Sequence, residues 1–118
     1  IKMIQKFASD WPDKFAIATS VADVKAQFAQ GKISLAMGME NGAPIGNNLE
    51  NLTDFFDRGI RYITLSHSLS NQISDSSYDD NKAHGGLSEF GEEVVREMVN
   101  LGILIDTPHS GMHPALIL

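Results

Sequence analysis

Two hydrophobic rhythms alternate along the chain. Four short runs are apolar almost throughout: FAIAT (15–19), ISLAMGM (33–39), YITLS (62–66) and ILIDT (103–107). Each has the length and composition of a strand. Between them, apolar residues recur at helical spacing: Val21, Val24 and Phe28; then Leu49, Leu52, Phe55 and Phe56; then Phe90, Val94, Val95, Met98 and Leu101. Residues 2–9 read as the end of a further helix, stopped near Trp11 and Pro12.

The punctuation agrees with these assignments. Ser20 and Asp23 form an S-x-x-D start signal, Asn47 or Asn48 can cap the next helix, and Ser88 the last. Gly31, Gly59 and Gly102 stand where the three helices should stop. Residues 68–87 form a long polar loop. The order strand–helix, repeated three times and closed by a strand, predicts an α/β fold. Near-continuous apolar strands imply a parallel sheet covered on both faces. No G-x-G-x-x-G follows the first strand and no P-loop is present. A (β/α)8 barrel fits the repeat but needs roughly 200 residues or more, so the 118 residues supply about half of one.

Composition narrows the function. With 42% hydrophobic and 20% charged residues, the chain is ordinary for a globular domain. A net charge of −6, with scattered basic residues, argues against a nucleic-acid surface. No run reaches the roughly 18 apolar residues of a membrane span. Without cysteine, any metal would rest on His, Asp and Glu.

Three strands deliver such residues at their C-terminal ends: Glu40 after ISLAMGM, His67 after YITLS, and His109 after ILIDT. Ligands bind at that end of parallel α/β sheets. Glu40 alone reads as a solvated turn residue, and each histidine alone as a hydrogen-bonded loop residue. Together, at equivalent places, they form a candidate zinc set. Asp106, inside the last strand, reads either as a group orienting a ligand or as an interior polar residue. DSSYDDNKAHGG (75–86) is acidic but not an EF-hand, since Asp80 and Gly86 occupy the positions that need Gly and Glu. It reads as a solvated flexible loop, with His84 at the surface. His113 lies four residues after His109, but Gly111 and Pro114 argue against a helical H-x-x-x-H pair. No G-x-S-x-G elbow is present.

Four stretches, TSVADVKAQFAQGKISLAMGMENG, RGIRYITLSHSLSNQISDSS, HGGLSEFGEEVVREM and LGILIDTPH, together resemble the membrane (renal) dipeptidases and their bacterial relatives. The resemblance covers about residues 15–109, leaving 110–118 as a divergent tail of a single partial barrel domain, 1–118. It implies part of a (β/α)8 TIM-type barrel of the metal-dependent hydrolase kind. It also implies a site for two Zn2+ ions and hydrolysis of dipeptides by a metal-bridged hydroxide. On that basis Glu40 would bridge the zincs, His109 would bind the second, and His67 would contact substrate and stabilise the tetrahedral intermediate. The family's H-x-D pair, its later zinc histidine and its substrate-binding arginine and aspartate have no match here. The family's usual D-V-S-H is DTPH around His109.

Three expectations follow from the resemblance. The segment alone should be inactive, a bacterial member would be cytoplasmic or periplasmic, and open barrel edges should favour association with a second copy or with the rest of a barrel. The alternative is a non-catalytic fragment or interaction scaffold that keeps the fold pattern.

Overall fold

A computed structural model describes residues 1–111. Helices α1 (Lys2–Asp10), α2 (Val21–Ala29), α3 (Glu50–Asp57) and α4 (Glu89–Leu101) alternate with strands β1 (Phe15–Ala18), β2 (Ile33–Met39), β3 (Ile60–Thr64) and β4 (Leu104–Asp106). A 3₁₀ turn, Ala43–Ile45, leads into α3. His113 and most of the 110–118 tail lie outside the described residues.

The strands form one parallel sheet in the order β1-β2-β3-β4. That order never reverses, so the sheet has no switch point of the doubly wound kind. It is the sequence of a barrel wall. The alternation of elements read from the hydrophobic pattern is therefore present throughout.

Local chemistry explains the helix ends. The Ser20 hydroxyl accepts from the Asp23 N–H at 3.1 Å, and the Ser88 hydroxyl from the Gly91 N–H at 2.9 Å. The N–H and then the hydroxyl of Thr19 hold the Asp23 carboxyl below its ordinary range. Gly102 closes α4 in the left-handed conformation, φ 77°. At α3 the start falls later than expected: Leu49 is the capping position, and the Asn48 side chain accepts from the Glu50 N–H at 3.0 Å.

The core lies where α3 and α4 meet the sheet. Ile45, Leu52, Ile63, Leu65, Ile73, Val94 and Met98 are fully buried there. Close packing reaches the backbone at the first turn of α4. A Cβ at Gly91 would lie 2.0 Å from the Ile73 carbonyl oxygen, so only glycine lets the helix approach.

Among the described residues, coverage of the strands on both faces is not found. Tyr62 pairs with Gly38 on one side and Leu104 on the other, so the three share a face. Tyr62 and Leu104 are 41% and 71% exposed. A Cβ on Gly38 would fall within 2.0 Å of the Tyr62 ring, which lies across the space the glycine leaves. This face is apolar because a closed barrel would bury it, and these residues make only one sector of wall. The apolar stripe of α2 is likewise uncovered, with Val21 and Phe28 at 72% and 81% exposure. Helical periodicity registered the stripe correctly but could not say what covers it. The radius of gyration, 15.9 Å, exceeds the ~13.5 Å of a compact domain of this size, as an open sector should.

Candidate metal centre

Each candidate ligand stands just past the end of its strand. Glu40 follows Met39 of β2 directly, and Asn41 then turns the chain with φ 81°. Asparagine tolerates that left-handed conformation better than most residues. The Asn41 side-chain oxygen accepts from the Ala43 N–H at 3.1 Å and from the Asn71 amide at 3.0 Å. Asn71 also donates to the Leu65 carbonyl at 2.8 Å and accepts from the N–H groups of Ile73 and Ser74. One asparagine thus ties the end of β2 to the chain leaving β3.

The three candidates converge. Glu40, His67 and His109 each offer a ligand atom, and these atoms lie within 4.8 Å of one another. His67 Nε2 is 3.1 Å from Glu40 Oε1, and its Nδ1 is 2.9 Å from the Ser68 hydroxyl. One neutral tautomer satisfies both contacts, with Nε2–H donating to Glu40 and Nδ1 accepting from Ser68. The pair is partly exposed, 39% for the His67 side chain and 71% for Glu40. Such a pair adds less than about 1 kcal/mol to stability.

The His67 and His109 rings meet at 4.5 Å between centroids, edge to face. His109 Nδ1 is buried and has no hydrogen-bond partner among the described residues. A buried imidazole nitrogen left without a partner costs free energy unless something fills its coordination. Two imidazoles and a carboxylate suit a zinc-like cation. The residues present therefore fit the kind of metal that the resemblance implies.

The loop after β3 is ordered, contrary to the expectation for residues 75–86. Asp75 is fully buried, and its carboxylate accepts from the N–H groups of Ala83 at 2.9 Å, His84 at 3.1 Å and Gly86 at 3.1 Å. Burial pushes this carboxyl up, but the N–H groups of Gly86, His84, Gly85 and Ala83 outweigh it, so the pKa lies below the ordinary value. His84 is exposed as expected, and its ring contacts the Asn71 carbonyl. Asp106 pairs with the Thr64 hydroxyl across β3 and β4. Its side chain is half-buried there.

Sequence reasoning missed Asn71, Asp75, Ser76 and Tyr78 around the site, while Asn41 could be read as a turn. The Tyr78 ring lies 5.5 Å from that of His109. An Asn directly after the acid and before a glycine was the one readable signal, since that pair favours a turn.

Comparison with known proteins agrees with this picture. A family model described as membrane dipeptidase (peptidase family M19) matches residues 1–115. An uncharacterized dipeptidase of Schizosaccharomyces pombe is 34% identical over 98% of this chain and 29% of its own length. Dipeptidase aclJ of Aspergillus oryzae is 34% identical over 95% of this chain and 27% of its own. The probable dipeptidase PvdM of Pseudomonas aeruginosa superposes with a TM-score of 0.89 at 31% identity, over 92% of this chain and 29% of that one. A metallo peptidase of Rhodobacter sphaeroides shares the fold, with a TM-score of 0.79 at 24% identity, over 89% of this chain and 31% of that one. The chain thus spans under a third of the length of these proteins. Their fold is a TIM-like barrel, and this sheet is a sector of its wall. The chain belongs to the membrane dipeptidase family of peptidases, family M19.

Proposed function

We propose that this chain forms part of the metal-binding rim of a zinc-dependent dipeptidase. Glu40 and His109 would hold the zinc, Glu40 as the carboxylate shared between two ions, and His67 would face the substrate. The observation that carries this reading is the convergence of three ligand atoms, from three separate strand ends, to within 4.8 Å. Membership of a peptidase family supplies the reaction class.

Glu40 suits a bridge because a carboxylate has two acceptor oxygens. Its exposure leaves both reachable from the rim. His109 suits a ligand because its buried Nδ1 has no partner among the described residues and the ring is wedged against His67. Bound zinc would supply Lewis-acid polarisation of the peptide carbonyl and a water acidic enough to be deprotonated near neutral pH. His67 keeps an N–H directed at Glu40. A small displacement of that ring would let the N–H donate to the oxygen on which charge develops.

A catalytic zinc takes about three protein ligands, and Glu40 with His109 makes two. This segment by itself would bind metal weakly and turn over no dipeptide. The test is metal analysis and dipeptide hydrolysis on the full-length gene product and its Glu40→Gln variant. Zinc in the parent, with loss of both zinc and activity in the variant, is expected. A metal-free, inactive parent would leave the scaffold reading instead.

A further inference from the structure

The two histidines lie three residues beyond the ends of β3 and β4. Between them runs a strap, residues 74–77, from the loop after β3. Ser76 is fully buried at its centre. Its hydroxyl donates to the His67 carbonyl and accepts from the Tyr78 N–H. Its backbone forms an antiparallel bridge with Ser110, the neighbour of His109. The next residue, Ser77, donates its N–H to the His109 carbonyl at 2.8 Å. On the other side, the Asp75 carbonyl accepts from the Ser66 hydroxyl at 3.1 Å and from the Gly111 N–H at 2.7 Å. Within four residues the strap thus bonds the carbonyls of His67 and His109, the Gly111 N–H and the Ser66 hydroxyl.

We infer that Ser76 is a positioning residue that sets the spacing of the His67 and His109 imidazoles. Its side chain holds one histidine's backbone while its own backbone is paired beside the other's. A hydroxyl is required because the same atom must donate to one carbonyl and accept from one N–H, which a methyl group cannot do. The Asp75 carboxylate anchors the strap from below through three loop N–H groups. The strap therefore cannot follow a histidine that moves. Groups that orient a ligand in this way typically change metal affinity about 10- to 100-fold when removed.

This inference rests on reading the three convergent residues as a metal site, yet its geometric half is testable without metal. The experiment uses the full-length gene product and its Ser76→Ala variant, with Ser74→Ala as control. Ser74 is equally buried, but its hydroxyl reaches only the Asp75 carbonyl. Two readouts are taken: the nuclear Overhauser effect between the His67 and His109 ring protons, and Zn2+ affinity by titration. Ser76→Ala is expected to lose the ring-to-ring effect and to weaken Zn2+ binding by roughly 10-fold or more. Ser74→Ala should change neither, and Ser76→Thr should restore both. Retention of the ring contact in a folded Ser76→Ala overturns the proposal. Should Ser76→Ala fail to fold, the unsubstituted chain decides. A slowly exchanging Ser76 hydroxyl proton close to the Ser68 amide is expected there, and its absence overturns the proposal. If the parent binds no Zn2+ while the ring contact still depends on Ser76, the metal reading fails and the positioning role stands.

Discussion

His67 and His109 meet edge to face with their ring centroids 4.5 Å apart, although they leave different strands of the sheet. Parallel register brings the two residues to the same level. Tyr62 pairs with Leu104 and Thr64 with Asp106, and each histidine follows three residues after the last pair. The two rings are therefore level at the same rim, beside Glu40.

The rings should nonetheless behave differently when removed. In the full-length product, His109→Ala should lose bound zinc, whereas His67→Ala should keep it and lower kcat by about 10²- to 10³-fold. Zinc content by atomic emission, set beside steady-state kinetics, separates the two. Equal zinc loss in both variants would make His67 a ligand rather than a substrate contact.

The loop after β3 should carry a pH dependence of definite sign. The folded Asp75 carboxyl has a pKa below the ordinary value of 3.8. Its stabilisation is therefore complete above the unfolded-state value and is lost as pH falls through the lower folded value. Amide exchange protection at Ala83, His84 and Gly86 should stay flat from neutrality down to about pH 4 and fall below it. Asp75→Asn should abolish that dependence and destabilise by on the order of 2 kcal/mol, through N–H groups left without an acceptor. Protection rising on acidification would contradict the assignment.

Gly91→Ala sets two effects against each other. Helix propensity favours alanine by about 1 kcal/mol. The new Cβ, however, would sit 2.0 Å from the Ile73 carbonyl oxygen, which belongs to the backbone and cannot rotate away. Overpacking wins, and denaturant unfolding should show a net loss of about 2 kcal/mol or more. A stabilised variant would mean that α4 stands farther from Ile73.

The open sheet face and the edges of β1 and β4, unpaired among the described residues, should drive association of the chain on its own. Exposed parallel edges and an apolar face that carries Tyr62 and Leu104 invite pairing. Sedimentation velocity should show species that grow with concentration. A monomer with one sharp thermal transition would contradict this.

The sequence made much of this legible, and the limits follow from which groups do the work. Strands, helices and the three ligand candidates are carried by side-chain type and spacing, so Glu40, His67 and His109 could be found by comparing strand ends. The strap could not. Its partners are the carbonyls of His67 and His109 and the N–H groups of Ala83, His84 and Gly86. Every residue type carries those groups, so no letter marks them. The acids in 75–86 read as solvated for the same reason, although Asp75 is fully buried. The stripe Val21, Val24 and Phe28 failed differently: periodicity reports which face is apolar, while its cover lies beyond any local pattern.

Gly38 and Tyr62 hold a further consequence. Because the tyrosine ring occupies the volume the glycine vacates, the two positions share one allotment of space across β2 and β3. Neither can drift freely. A side chain gained at 38 would have to push the partly exposed Tyr62 ring aside, toward the open face. The Tyr62 ring thus serves as the side chain that Gly38 lacks on this stretch of the wall.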